Sequence, residues 1–255
     1  MQTQLQMTVM HKMAADKEQF RIEHGVFDEF TKKNINKLSS QGYFQELTNY
    51  VALGKEANVY LGKKDDGSYC CVKIYRVENC NFKKMYGYIK NDPRYADLKG
   101  RRREIIFSWV QREFRNLHKA REAGVRVPTP YAVEKNVIVM ELIGEPTNLA
   151  PQIKNIAPVD PDAFIADIVE QMRLLYQKVG IVHADLSMFN ILNDDEKPVI
   201  IDMSQSTAKE DTNAGEYIRR DIENIATYAK RVGVSFDIEA VTKKIIGNDN
   251  LNKKK

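Results

Sequence analysis

The chain has 255 residues, 43% of them hydrophobic and 29% charged, a balance that excludes disordered and collagen-like classes and leaves room for one or two packed domains. No apolar run approaches the ~20 residues that a membrane helix needs, and the opening MQTQLQMTVM carries no cleavable signal pattern, so the expectation is a cytoplasmic protein with no membrane partner. A net charge of +4 is too small to imply nucleic acid by itself, and Cys70, Cys71 and Cys80, with no C-x-x-C pair, read as reduced thiols, not as a disulfide framework or zinc site.

In chain order, residues 15–40 read as a helix, with Phe20, Val26, Phe27, Phe30, Ile35 and Leu38 at roughly helical intervals among charges. From Tyr50 the segments VALG, NVYLG and YCCVKIYR are rich in β-branched and aromatic residues and are broken by Gly54, Gly62 and Asp66-Gly67, the pattern of strands and a hairpin. From Asn81 to Arg103 eight basic residues (Lys83, Lys84, Lys90, Arg94, Lys99, Arg101, Arg102, Arg103) face only Asp92 and Asp97, and this stretch reads as a loop around Asp92-Pro93. Glu104 to Ala123 reads as a helix stopped by Gly124, followed by two strands around Glu134-Lys135-Asn136. Irregular sequence fills roughly 144–159, Asp160-Pro161 caps a helix ended by Gly180, and 214–232 and 236–246 read as closing helices. A β-rich half thus precedes an α-rich half with a boundary near Gly144, giving expected units of 1–45, 46–143 and 144–255.

The chemistry sits in IVHADLSMFNIL, where Asp185 and Asn190 lie five apart, and in VIIDMS, where Asp202 follows seventeen residues after Asp185. A lone Asp or Asn after a strand is usually a turn former. A pair of oxygen ligands for a hard cation next to a further carboxylate is another matter, because Mg²⁺ is commonly held by one or two such groups together with substrate phosphates. Asn190 and Asp202 would supply that pair, leaving Asp185 to orient or deprotonate a hydroxyl, as in kinase-like phosphoryl transfer. The remaining parts occur in order. Lys73 lies within a strand between Val72 and Ile74, Glu113 is its helix partner with Glu104 as the fallback, and LGKEANVY sets Gly54 at a strand-to-strand turn, with Lys55, Glu56 and Val59 after it. VIVMELIG ends at a hinge where the backbone of Glu141 and Ile143 would meet adenine beside Met140.

LGKEANVY, HADLSMFN, IDMSQS and RRDIENI together resemble the RIO family of atypical protein kinases, closest to its first subfamily, over about residues 40–232. The resemblance implies an α+β, bilobal protein-kinase-like fold with a small β-rich N-lobe, a truncated α-rich C-lobe and an extra N-terminal helix. It implies ATP with Mg²⁺ (or Mn²⁺), serine phosphorylation of protein acceptors including the chain itself, and a role in maturing the small ribosomal subunit. On matching motifs it gives Asp185 the catalytic-base position, Asn190 and Asp202 the metal positions and Lys73 the phosphate-pairing position. It also places on Asp202 the phosphorylated aspartate of an ATPase cycle. Departures from ordinary protein kinases are visible: H-R-D becomes His183-Ala184-Asp185, D-F-G becomes Asp202-Met203-Ser204, and no A-P-E follows in the last 53 residues. That shortness implies a shallow platform for protein substrates. His183 reads as a neutral imidazole bracing the loop.

Two other readings stand beside this one. The basic stretch, with Phe82, Tyr86, Tyr88 and Tyr95 interleaved, suits a nucleotide-gated assembly factor that binds RNA or a pre-ribosome with little turnover. An aminoglycoside-type small-molecule kinase shares the H-x-D-x-x-x-x-N spacing, but the C-terminal half lacks room for an acceptor subdomain and Ser204-Gln205-Ser206 has RIO wording.

Overall fold

The computed structural model describes residues 27–77, 81–89, 98 and 101–247. They fall into two compact units, the first made of the residues up to 77 with Tyr131–Met140, the second of the rest.

The first unit is a five-stranded sheet with one helix against it. Helix α1 (Glu29–Ser40) starts where the Asp28 side chain accepts from the Thr31 N–H at 2.7 Å. Of the helix expected over 15–40, the part before residue 27 lies outside the described residues. The strands β1 (Glu46–Leu53), β2 (Ala57–Lys63), β3 (Tyr69–Tyr75), β4 (Pro130–Glu134) and β5 (Val137–Glu141) are ordered β1-β2-β3-β5-β4. β1 begins four residues before Tyr50, and its pairing with β2 shifts register on either side of Tyr50. The strands alternate as pleating requires. Tyr60, Cys70, Val72, Ile74, Val137 and Val139 form one core with Leu38 and Phe44, which leaves Val59, Lys73 and Met140 on the other face.

A polar clasp fixes α1 on this sheet. Asn136, fully buried in the β4–β5 turn, accepts from Asn34 Nδ2 (2.9 Å) and donates to Thr31 Oγ1 (3.0 Å) and the Tyr75 carbonyl (2.9 Å). Removing one such group strands several buried partners, so Asn136→Ala should lower unfolding free energy by about 2–4 kcal/mol in denaturant titration. Lys37→Ala breaks one ion pair, between the exposed Lys37 and the half-buried Glu134, and should cost about 1 kcal/mol or less. Equal effects would disprove the clasp.

In the second unit, α2 (Phe82–Ile89) occupies sequence that reads as a loop. Its apolar side, Met85 and Ile89, is buried, and Tyr88 packs edge-on against Trp109 and tilted against Tyr217. Packing, not propensity, makes this short helix. The expected stacking surface is altered in consequence: Tyr88 faces protein and the Phe82 ring carries Arg102, while Tyr95 lies outside the described residues.

Helix α3 (Arg102–Glu122) ends in a reversal at Gly124 (φ 87°), where the Val125 N–H returns to the Ala120 carbonyl at 2.9 Å. Beyond β5, residues read as irregular contain a small hairpin, β6 (Gly144–Glu145) with β7 (Asn148–Leu149). Helix α4 (Pro161–Leu174), capped by Asp160, widens into a π turn over Leu175–Val179 and stops at Gly180 (φ 75°). Then come β8 (Ile181–Val182), the hairpin of β9 (Ile191–Asp194) and β10 (Lys197–Ile200), and β11 (Thr207–Ala208), which pairs with β8. Helices α5 (Ala214–Arg231) and α6 (Ile238–Ile246) close the unit.

Candidate active site

In the second unit, the turn after β8 is held in a costly conformation. Ala184 has φ 67°, a region that residues with a Cβ avoid. Asp221, wholly buried on α5, accepts from the N–H groups of Ala184 (2.8 Å) and Leu186 (2.9 Å), the two neighbours of Asp185. Arg220 donates to the Ala184 carbonyl and Asn224 to the Leu186 carbonyl (2.9 Å). Two adjacent residues of α5, Arg220 and Asp221, and a third one turn later, Asn224, thus fix the backbone on both sides of Asp185. His183, also buried, accepts from the Asp185 N–H at Nδ1 (3.3 Å), so Nε2 carries the proton and donates to the Ile201 carbonyl (3.1 Å). It braces the loop from behind.

Asp185, Asn190 and Asp202 come together in this unit. Asn190 donates through Nδ2 to the Asp185 carbonyl (2.8 Å), which leaves Oδ1, the atom a hard cation takes. Asp202 has φ 61°, and the Ser204 hydroxyl donates to its Oδ1 at 2.6 Å. Burial raises the Asp185 pKa and the Asp202 carboxylate adds to the rise, while His183, Lys84 and Arg220 pull it down. A carboxylate and an amide oxygen beside a second carboxylate suit Mg²⁺ or Mn²⁺ completed by phosphate oxygens and water. A closed structural metal site is a different thing, and among the described residues no cluster of three or more His, Cys, Asp or Glu exists to form one.

The segment after Asp202 is clamped by α3. Arg112 donates to the Ser206 carbonyl and the Tyr88 carbonyl (3.0 Å), and Asn116 to the carbonyls of Met203 (3.2 Å) and Ser206 (3.3 Å). Glu113 on the same helix is buried, whereas Glu104 is exposed and paired with Arg101 at 3.2 Å.

At the end of β5 the Glu141 side chain is a strut. It accepts from Arg126 (2.9 and 3.1 Å) and from the Thr129 N–H (2.9 Å) and hydroxyl (2.6 Å). Burial pushes the carboxyl up, but these donors outweigh it and hold Glu141 below the usual range. Its N–H is bound to the Thr129 carbonyl (2.8 Å). The Ile143 carbonyl accepts from Ala150 (3.1 Å), leaving the Ile143 N–H. Gly144 (φ 87°) has no room for a Cβ, which would lie 2.5 Å from the Ala150 nitrogen.

In the first unit, Lys73 is half-buried on β3 directly opposite Val59 on β2, its ammonium 5.0 Å from the centre of the Tyr75 ring. Gly54 turns β1 into β2 so tightly that a Cβ would sit 2.6 Å from the Ala57 carbonyl oxygen. Lys55 is exposed and Glu56 half-buried, the Glu56 carbonyl accepting from Arg76 (2.9 Å), and Met140 is buried on the Lys73 face.

Sequence reasoning gave no role to Asp221, Arg220, Arg112, Asn116 or Gln205. The signal was present for most of them. Asp221 lies in register with Ile218, Ile222 and Ile225, and Arg112 and Asn116 with Trp109 and Leu117, so polar residues sit on apolar stripes.

Comparison with known proteins gives the family. The family model for the RIO domain matches residues 58–241. The Rio1 RIO-type serine/threonine-protein kinase of Haloferax volcanii is 36% identical over 92% of this chain and 80% of its own, and that of Methanocaldococcus jannaschii 35% identical over 96% and 83%. The human serine/threonine-protein kinase RIO1 is 32% identical over 82% of this chain but only 38% of its own length. In fold, the chain resembles a Rio2 kinase from Chaetomium thermophilum solved as an ADP/Mg²⁺-phosphoaspartate complex, with TM-score 0.65 and 24% identity over 84% of this chain and 66% of that one. With its β-sheet unit, its helical unit and the H-A-D and D-M-S motifs held as described, the chain belongs to the RIO family of atypical serine/threonine protein kinases, in its Rio1 branch.

Proposed function

We propose that this chain transfers the γ-phosphoryl group of ATP to serine hydroxyls, its own included, and also hydrolyses ATP through a phosphorylated Asp202. The observation that carries the proposal is the grouping of Asp185 and Asp202 with Asn190, which presents its amide oxygen. In the kinase mode Asp185 aligns the serine hydroxyl and takes its proton as the oxygen attacks phosphorus and ADP leaves. In the ATPase mode an Asp202 carboxylate oxygen attacks instead, ADP leaves, and water then splits the acyl phosphate to phosphate and free carboxylate. Asn190 and Asp202 would hold Mg²⁺ or Mn²⁺, which when bound would supply positive charge against the developing negative charge. Lys73 pairs with the α- and β-phosphates. Glu113 is its acidic partner in preference to the solvated Glu104. The Gly54 turn with Lys55, Glu56 and Val59 covers the phosphates, and Met140, the Glu141 carbonyl and the Ile143 N–H receive adenine. The phosphoaspartate captured in the Rio2 kinase supports the ATPase mode.

Trapping with γ-labelled ATP tests this directly. Label on serine that survives hydroxylamine and acid is expected from the kinase path, and hydroxylamine-labile label, lost in Asp202→Asn, from the ATPase path. Absence of both labels and of ADP production would refute the proposal.

The partner we propose is a cytoplasmic small-subunit ribosomal precursor and its rRNA. Arg101, Arg102 and Arg103 stand exposed together beside exposed Lys83 and Lys84, and such a group contacts phosphates. Binding that falls steeply with salt and is lost on neutralising the three arginines is expected. Full binding with no ATP turnover would favour the assembly-factor reading over the enzyme.

A further inference from the structure

We infer that Gln205 is a positioning residue that aims the Asp185 carboxylate, an inference that rests on Asp185 being the group that receives the acceptor proton. Gln205 Nε2 donates to Asp185 Oδ2 at 3.0 Å, and Asn190 Nδ2 adds a longer contact to the same oxygen at 3.4 Å. No hydrogen bond reaches Oδ1 among the described residues. Both donors therefore converge on one oxygen and turn the other toward the acceptor.

The amide is held from behind. Two residues before it the Met203 carbonyl is bound by Asn116, and one residue after it the Ser206 carbonyl is bound by Arg112 and Asn116 of α3, so the backbone that launches the Gln205 side chain is fixed on both sides. The residue is 8% exposed, and its Oε1 is buried without a partner. A buried carbonyl with no donor is a standing cost to folding that an aliphatic side chain of similar shape avoids. Packing alone thus gives no reason for glutamine here. The N–H end does, because it is the end that suits a carboxylate; the reverse orientation would set two oxygens against each other. Gln205 also joins the segment that carries Asp202 to the loop that carries Asp185, so the two carboxylates are set by one framework.

The test compares Gln205→Leu and Gln205→Glu with the parent protein in serine phosphorylation, ATP binding and thermal unfolding. Leucine removes the donor and the unpartnered carbonyl together. The expected result is kcat lower by roughly tenfold to a hundredfold, as misaligned reacting groups produce, with KM for ATP and ATP affinity unchanged and Tm equal or higher. A purely structural residue would lose stability and activity together, which separates the two roles. Glutamate keeps the size but replaces the donor with a carboxylate oxygen, and kcat should fall in it as well. Parental kcat in a folded Gln205→Leu protein would overturn the inference. If Asp185→Ala abolishes transfer while Gln205→Leu does not, the positioning role fails and the reading of Asp185 stands. If Asp185→Ala keeps full turnover, that reading itself fails.

Discussion

Replacing Asp185 with alanine is expected to lower the rate of phosphoryl transfer to serine by at least ~100-fold while ATP affinity stays unchanged. The magnitude follows from what the side chain is placed to do. Its backbone is fixed by Asp221 on both flanks, by Arg220 and Asn224 at the adjoining carbonyls, and by the His183 imidazole. A group held this firmly, with its pKa raised by burial and by Asp202, is a better proton acceptor near neutral pH than a free aspartate. Loss of the carboxylate leaves the nucleotide's own ligands untouched, so the effect belongs in kcat. Single-turnover transfer with labelled ATP, beside calorimetric ATP binding, separates the terms. Turnover within a few-fold of the parent would remove Asp185 from the mechanism, and a matching loss of ATP affinity would make it a binding residue instead.

The distribution of this chemistry along the chain explains which parts were readable. Turns and stops announce themselves through residues with no alternative: Gly54 at its close approach to Ala57, Gly124 and Gly180 at positive φ, and Asp160-Pro161 at a helix start. The H-A-D and D-M-S motifs are readable for a similar reason, since few residue types serve a cation and a proton acceptor at that spacing. What escaped is the support. Helix α2 is eight residues long in a basic stretch, and its burial against Trp109 and Tyr217 depends on partners distant in sequence. Asp221, Arg112 and Asn116 look like surface polar residues until the period is followed strictly, when each falls on a buried stripe. Gln205 is visible in the sequence only as part of the SQS wording, because its contact with Asp185 is a single distance between residues twenty apart.

Asp221→Asn is expected to destabilise the protein by about 2–4 kcal/mol and to impair transfer through the displaced Asp185 loop. The carboxylate accepts two backbone N–H groups. An isosteric amide keeps one acceptor and turns its own N–H₂ toward the second donor, so one bond is lost and two donors face each other in a dry site. The penalty has a pH dependence that identifies it. Burial raises the Asp221 pKa to about 7, against the pull of the two N–H donors and Arg220. An acid whose folded pKa lies above its unfolded value binds more protons when folded, so its contribution is full below the unfolded pKa and declines as pH rises through the folded one. The parent should therefore lose part of its advantage over Asp221→Asn between about pH 4, near the free aspartate value, and the folded value of about 7. Other titrating groups are common to both proteins and cancel in the difference. Denaturant unfolding of the pair across that window gives the measurement. A difference that stays flat with pH would mean that Asp221 keeps one charge state throughout, and one near zero would mean that the Ala184 turn is held by Arg220 and packing alone.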